Sequence, residues 1–146
     1  MEQETLIIEQ VYAATPEALW KALTDKEEMK KWYFTLDRFE PRAGFEFSFY
    51  GEGRQGEKYL HRCRVTAAEE NKKLAYSWCY EGFDGFSEVS FELAAIAPGQ
   101  TSLRVTHTGL GSFPAGNPDF ARSSFTEGWN YITGTSLRQY LEGNTA

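Results

Sequence analysis

The chain has 146 residues and a formal net charge of −6, and its residues are 16% aromatic and 25% charged. This length is typical of one domain with a single core, which we expect to span 1–146. The acidic balance disfavours nucleic-acid binding, and the absence of a run of ~18 apolar residues argues against a membrane span.

The N-terminal region predicts one strand followed by two short helices. The acidic start at Met1–Glu4 lacks the basic and apolar regions of a signal peptide, so we expect a cytoplasmic protein. Thr5–Tyr12 is rich in β-branched residues, which favour a strand. Thr15 and Pro16 are the N-cap and first residue of one predicted helix, and a capping box within Thr24–Glu28 opens the second.

From Phe34 to Leu110 apolar residues recur at every second position, which predicts strands joined by short turns. The alternation covers Phe45–Tyr50, Tyr59–Ala67, Leu74–Tyr80, Val89–Leu93 and Leu103–Thr108. Turn signals lie at Gly51–Gly53, Glu69–Lys72, Gly82–Gly85 and Pro98–Gln100. Strands joined so closely are antiparallel, and we expect about seven, with one apolar face that needs a cover.

The last segment predicts that cover as an amphipathic helix. Asn117 and Pro118 form a helix-start signal, and Gly143 fits its end. Gly128 and Gly134 lie inside the helix and either allow close packing against the sheet, which we favour, or leave room for a ligand. The apolar stripe contains Ala121, Phe125, Trp129, Ile132, Ser136 or Leu137, and Tyr140.

A Gly- and Ser-rich connection from Gly109 to Pro118 joins the last strand to this helix. Its apolar members are Leu110 and Phe113. Long connections of this kind often act as lids over binding sites. We therefore expect this segment to close one mouth of the space between sheet and helix.

Several short motifs occur along the chain in an order and spacing typical of a known family. They are Thr15–Asp25, Lys31–Trp32, Pro41–Phe47, Leu74–Trp78, Val89–Leu93, Thr101–Leu110 and Gly128–Trp129. Together they resemble the activator of heat-shock ATPase homologue (Aha-type) family of the START-like, or SRPBCC, superfamily. The resemblance implies an α+β helix-grip fold: a curved antiparallel sheet around a long C-terminal helix, with an internal cavity. The chain departs from the family at Lys58–Arg64, where an inward His61 would make that cavity more polar or smaller.

Aromatic and imidazole side chains predict the lining of this cavity. Strand alternation and the helical stripe turn them toward one space, where aromatic rings can enclose an apolar ligand. The predicted ligand-binding residues are Phe47, His61, Tyr76, Trp78, Tyr80, Phe91, His107, Phe113, Phe125 and Trp129.

His61 and His107 are the two histidines of the chain, and both belong to predicted inward positions. A histidine pair can hold a metal or act as acid and base, but no inward carboxylate accompanies it as a third ligand. We favour satisfied core histidines over ligand hydrogen bonding, and either over catalysis. Cys63 and Cys79 fall on opposite faces of the sheet, so we expect free thiols.

Three functions remain open at this point. The leading prediction is a non-catalytic binding domain for a small apolar or amphipathic ligand, without metal or cofactor, because no nucleophile, phosphate-loop or dinucleotide motif occurs. The family resemblance implies a second: a protein-interaction module that stimulates a heat-shock chaperone ATPase. The third is an enzyme of the polyketide cyclase or hydrolase type that uses His61 or His107. An exposed strand edge also leaves a homodimer open.

Overall fold

The computed structural model describes residues 5–33, 36, 38–52, 56, 58–114 and 116–142. The first half contains β1 (Thr5–Tyr12), α1 (Pro16–Thr24), α2 (Lys26–Trp32), β2 (Glu46–Glu52) and β3 (Lys58–Glu69). The second half contains β4 (Lys73–Tyr80), β5 (Ser87–Ala97) and β6 (Gln100–Thr108), then 3₁₀ turns at Leu110–Ser112 and Pro118–Phe120. The long helix covers 122–142 and consists of α3 (Arg122–Tyr131), a π-helical segment (Ile132–Ser136) and α4 (Leu137–Glu142).

The strands form one antiparallel sheet in the order β1-β6-β5-β4-β3-β2. Alternate residues are buried along β3, β5 and β6, so the apolar face packs inward and the other face is solvated, as predicted. Because the long helix lies over the apolar face, Trp78 of β4 and Phe91 of β5 contact Trp129 of α3. The helix-grip prediction is therefore confirmed.

The sheet has six strands in the described residues, and the prediction of about seven was wrong. Leu36 and residues 38–45 contain no strand, because Pro41 cannot donate to a ladder and Gly44 is left-handed at φ +93. Gly51 and Glu52 continue β2 instead of forming the predicted turn. Some positions used in the sequence predictions lie outside the described residues, namely Phe34, Gly53, Gly143 and Met1–Glu4.

Both predicted short helices begin at their cap signals. The Thr15 hydroxyl accepts the Ala18 N–H at 3.1 Å, which satisfies one of the free amides of the first turn. The Asp25 carboxylate accepts the Glu27 N–H at 2.9 Å and caps α2. Of the two N-caps that the sequence allowed, Asp25 is the one used, but the reciprocal bond of a capping box is absent because the Asp25 N–H donates to the Lys21 carbonyl.

The long helix begins later than predicted. The Asn117 side chain accepts the Asp119 N–H at 2.9 Å, and its carbonyl accepts the Phe120 N–H at 3.0 Å. These bonds close the 3₁₀ turn, after which Ala121 is extended at ψ 150 and α3 starts without a side-chain cap. A cap signal is local, so it can be satisfied by a single turn.

The buried stripe of the long helix is Phe125, Trp129, Thr133 and Leu137, a strict spacing of four. Residues four apart drift around an α-helix of 3.6 residues per turn, and the wider π turn corrects that drift. Sequence periodicity missed Thr133 and named Ile132, which is half-buried, and Ala121, which is exposed.

Candidate functional site

Aromatic rings fill the space between the sheet and the long helix. All ten predicted site residues are buried. Ring contacts with centroids 4.7–5.9 Å apart connect them in one continuous set, which runs Phe47, Tyr76, Phe91, Trp129, Trp78, His61, Tyr80, Phe113, Phe125 and His107. We call this set the aromatic interior. Their role in binding stays a prediction, but the fold does bring them together.

Further aromatic residues belong to the same region and were not predicted as site residues, among them Tyr33, Phe49, Tyr59 and Phe120. Phe49 stacks on His61 at 4.5 Å, and Tyr33 stacks on Trp129 at 6.3 Å. Phe49 and Tyr59 lay on inward faces of the strand pattern, so alternation alone could have found them. Tyr33 and Phe120 lie outside regular periodicity, at the end of α2 and in a 3₁₀ turn, so no sequence signal marked them.

His107 is held by a buried chain of hydrogen bonds. The Trp129 indole N–H donates to His107 Nδ1 at 3.1 Å, which leaves the ring proton on Nε2. Nε2–H then donates to the Ser87 hydroxyl at 2.8 Å, and that hydroxyl donates to the Trp78 carbonyl at 2.9 Å. The hydrogen bonds of the two His107 nitrogens thus connect α3 to β4, β5 and β6. If His107 acted as an acid or a base, it would have to break these hydrogen bonds.

His61 lies in the aromatic interior on the β3 side. Its Nδ1 is 3.1 Å from the Tyr59 carbonyl, to which it can donate, and its ring packs edge-on against Trp78. Burial lowers the pKa of His61 to about 4 and the pKa of His107 to about 3. Both imidazoles are therefore neutral at pH 7. In the described part of the chain, no three His, Cys, Asp or Glu residues cluster as a metal site would require.

Phenolic hydroxyls supply the polar groups of the aromatic interior. The hydroxyls of Tyr33 and Tyr76 are 2.6 Å apart, and the Trp78 indole N–H donates to the Tyr80 hydroxyl at 2.9 Å. Burial raises the pKa of Tyr33, Tyr76 and Tyr80, so all three phenols keep their protons at pH 7. A few such groups inside an apolar space can orient a ligand.

The connection after β6 closes one end of the aromatic interior. It places the buried rings of Phe113 and Phe120 against Tyr80, at 5.3 and 4.7 Å. The Tyr59 hydroxyl donates to the Asp119 carboxylate at 2.7 Å and ties the segment to β3. This placement fits the predicted lid, whose movement stays a prediction.

Close packing against the β4–β5 turn also holds this segment. A Cβ on Gly85, which has φ +120, would lie 2.3 Å from the Phe113 ring. The Ser112 hydroxyl accepts the Phe86 N–H at 2.8 Å. The turn and the segment therefore fit together only while position 85 lacks a side chain.

The two thiols differ in environment, as the strand phases predicted. Cys63 is buried on the inner face, where desolvation raises its pKa, and Cys79 is partly exposed on the other face. Both are free. Among the described residues, no helix has the length and apolar character needed to cross a membrane.

A curved antiparallel sheet that grips a long helix through an aromatic interior defines a helix-grip domain. The model of the family described as Activator of Hsp90 ATPase homolog 1-like protein matches residues 13–142, and the chain belongs to that family. The resemblance found in the sequence is therefore confirmed. A search of curated protein sequences finds no match.

Solved structures show the same fold over nearly the whole chain. Protein MLL2253 from Mesorhizobium loti is 30% identical, with a TM-score of 0.76 over 94% of this chain and 96% of that one. Protein CV1439 from Chromobacterium violaceum is 19% identical, with a TM-score of 0.79 over 95% and 97%. CalU16 from Micromonospora echinospora is 22% identical, with a TM-score of 0.72 over 97% and 78%.

Proposed function

We propose that the chain is a non-catalytic binding domain whose aromatic interior takes a small apolar or amphipathic molecule. The observation that carries the proposal is the continuous set of ten buried rings, closed at one end by a connection outside the sheet and the long helix. The neutral, hydrogen-bonded histidines favour binding over acid–base chemistry. The free thiols fit a cytoplasmic setting.

A ligand has to make room for itself in this interior, because rings of the sheet and the helix touch. Trp78 and Trp129 are 5.7 Å apart, and His107 and Phe125 are 5.3 Å apart. Burying apolar ligand surface gains about 25 cal/mol per Å². The cost of moving side chains offsets part of that gain. The apparent affinity is therefore lower when a smaller fraction of the protein is in the open state.

A thermal-shift experiment tests this function. We expect at least one of a flavone, a sterol and a fatty acid to raise the Tm of the chain, because a ligand that binds only the folded state stabilises it. Phe125→Leu, which changes a ring of the aromatic interior, should reduce the shift. Tyr131→Leu is the matched control on the same helix, since Tyr131 is 63% exposed.

Two results would contradict the proposal. One is an unchanged Tm with every class of compound at concentrations near their solubility limits. The other is a shift of the same size in Phe125→Leu and in the wild type, which would place the bound compound elsewhere on the surface.

A second candidate is a partner-protein module that stimulates a heat-shock chaperone ATPase, and the description of the matching family favours it. Its test is the ATPase rate of an Hsp90-type chaperone with and without the purified chain. A rate that rises with chain concentration supports this function, and an unchanged rate removes it. The thermal-shift result is independent of this outcome.

A further inference from the structure

We propose that Phe113 and Phe120 occupy the place of the ligand in the free protein, and that an uncharged aromatic molecule binds by displacing both rings and stacking between Tyr80 and Phe125. This inference rests on the proposed function and deepens it, because it names the ligand class and the event that admits the ligand. The four rings are called the ring stack below.

The ring stack has fixed ends and a removable middle. Tyr80 lies 4.7 Å from Phe120 at 30°, and Phe113 lies 5.9 Å from Phe125 at 21°. Phe113 and Phe120 are 5.7 Å apart at 38°, and Phe113 also packs edge-on against Tyr80 at 5.3 Å. Tyr80 belongs to β4 and Phe125 to α3, whereas the two middle rings come from the connection between strand and helix. The space that they fill therefore has aromatic walls and suits a flat molecule of about two rings.

The connection can leave without unfolding either neighbour. Its described secondary structure is two 3₁₀ turns of three residues each, which hydrogen bonds of Ser112 and Asp119 tie to the β4–β5 turn and to β3. Gly109 at one end has φ +82, and Ala121 at the other is extended and caps α3 with its carbonyl alone, without a side-chain bond. Both ends can therefore change direction while β6 and α3 keep their hydrogen bonds.

The charges around the ring stack favour an uncharged ligand. His61, which packs 4.7 Å from Tyr80, is neutral at pH 7. Within the described ranges, no Lys or Arg lies in cation–π contact with the four rings. An anion would lose its hydration there without gaining a partner.

Tyr80 also supplies a hydrogen-bond donor at the inner end of the ring stack. Its oxygen accepts the Trp78 N–H at 2.9 Å, and its own proton has no acceptor among the residues that the structure describes. A carbonyl oxygen on the ligand can accept that proton. The ligand class is thus an uncharged, flat aromatic molecule with one acceptor group.

Two naphthalene compounds that differ in charge test the ligand class. We expect methyl naphthoate, which is neutral and has an ester carbonyl, to quench tryptophan fluorescence on binding, and naphthoate to bind at least tenfold more weakly. Naphthoate binding as tightly as the ester would overturn the assignment of an uncharged ligand.

Tyr59→Phe tests displacement, because it removes the hydroxyl that donates to Asp119 and accepts from the Asn117 side chain, and it keeps the ring. We expect this variant to bind methyl naphthoate about threefold to tenfold more tightly, since the closed state loses both hydrogen bonds. Tyr131→Phe removes an exposed hydroxyl from the long helix and should bind like the wild type. Equal affinities for Tyr59→Phe and the wild type would overturn displacement.

Hydrogen exchange gives a second readout that does not depend on a variant. With methyl naphthoate bound, the described amides of the connection, which are those of 110–113, 116, 117, 119 and 120, should exchange faster, because the segment has left the ring stack. Slower exchange would mean that the segment closes over the ligand, which overturns displacement while leaving the proposed binding function intact. If neither naphthalene compound binds while a sterol or a fatty acid still raises the Tm, this inference fails and the proposed function stands.

Discussion

At the scale of single residues, the interior depends on how each buried polar atom is paired. Among the described residues, no buried side-chain nitrogen or oxygen lacks a partner. In the series of hydrogen bonds from Trp129 through His107 to Ser87, the donor and acceptor of each bond are fixed, because the indole can only donate. Such a chain fixes the tautomer of His107 and locks the helix over the sheet.

Ser87→Ala should lower the free energy of unfolding by about 1–3 kcal/mol, because His107 Nε2–H then loses its acceptor inside the protein. Urea unfolding followed by far-UV circular dichroism measures the change. Ser90→Ala is the control on β5, since Ser90 lies on the other face and should change stability by less than about 0.5 kcal/mol. Similar losses in both variants would contradict the structural role of this chain.

At the scale of elements, the long helix both covers the interior and protects the β1 edge. Arg138 donates to the Val11 carbonyl at 2.9 Å, and Arg122 donates to the Thr5 carbonyl at 3.3 Å. The Tyr12 hydroxyl donates to the Thr133 carbonyl in the π segment at 2.7 Å. The two arginine bonds occupy backbone carbonyls that the β1 edge would otherwise offer to a second chain.

The two glycines of the long helix have different surroundings. Gly128 is exposed, and a Cβ there would meet nothing within 4 Å, so it serves neither close packing nor a cavity. The preference for close packing was therefore wrong at this position. At Gly134 a Cβ would lie 3.2 Å from Gln10 Nε2, which is close packing.

Gly128→Ala should raise the free energy of unfolding by about 1 kcal/mol, the ordinary difference in helix propensity. Gly134→Ala should gain less, because Gln10 has to move away from its 3.4 Å hydrogen bond to the Thr133 hydroxyl. Thermal and urea unfolding of the two variants measure the difference. An equal gain at both positions would show that the contact with Gln10 has no cost.

At the scale of the whole molecule, the neutral histidines make folding sensitive to acid. Above pH 6.5 His61 and His107 are neutral in the folded and unfolded states and contribute no pH dependence. Below it the unfolded chain takes up protons that the folded chain excludes, so stability falls with decreasing pH. The fall ends as the pH passes the folded pKa values, about 4 for His61 and about 3 for His107.

We expect the free energy of unfolding to drop by about 1.4 kcal/mol per pH unit for each histidine in this window. Urea titrations at pH values from neutral to about 5 measure the slope, above the range in which most carboxylates titrate. His61→Phe should remove about half of it at the same pH values. A slope that this variant leaves unchanged would contradict the burial of a neutral His61.

Local chemistry determined much of this protein from its sequence. Alternation along β2 to β6 turned seven of the ten site residues inward, and the stripe of the long helix placed Phe125 and Trp129. Thr15 and Asp25 set the starts of α1 and α2. These signals depend on neighbours a few residues apart, which a sequence displays directly. The order of elements, the family and the aromatic character of the interior followed from them.

Only the tertiary structure decided how the elements meet. The π segment keeps Thr133 on the buried face because Tyr12, 121 positions away, bonds its carbonyl. The proton on His107 depends on Trp129, and the burial of Phe113 and Phe120 depends on rings from β4 and α3. Each of these features needs a partner that is distant in the chain, and no local pattern specifies which side chain that partner will be.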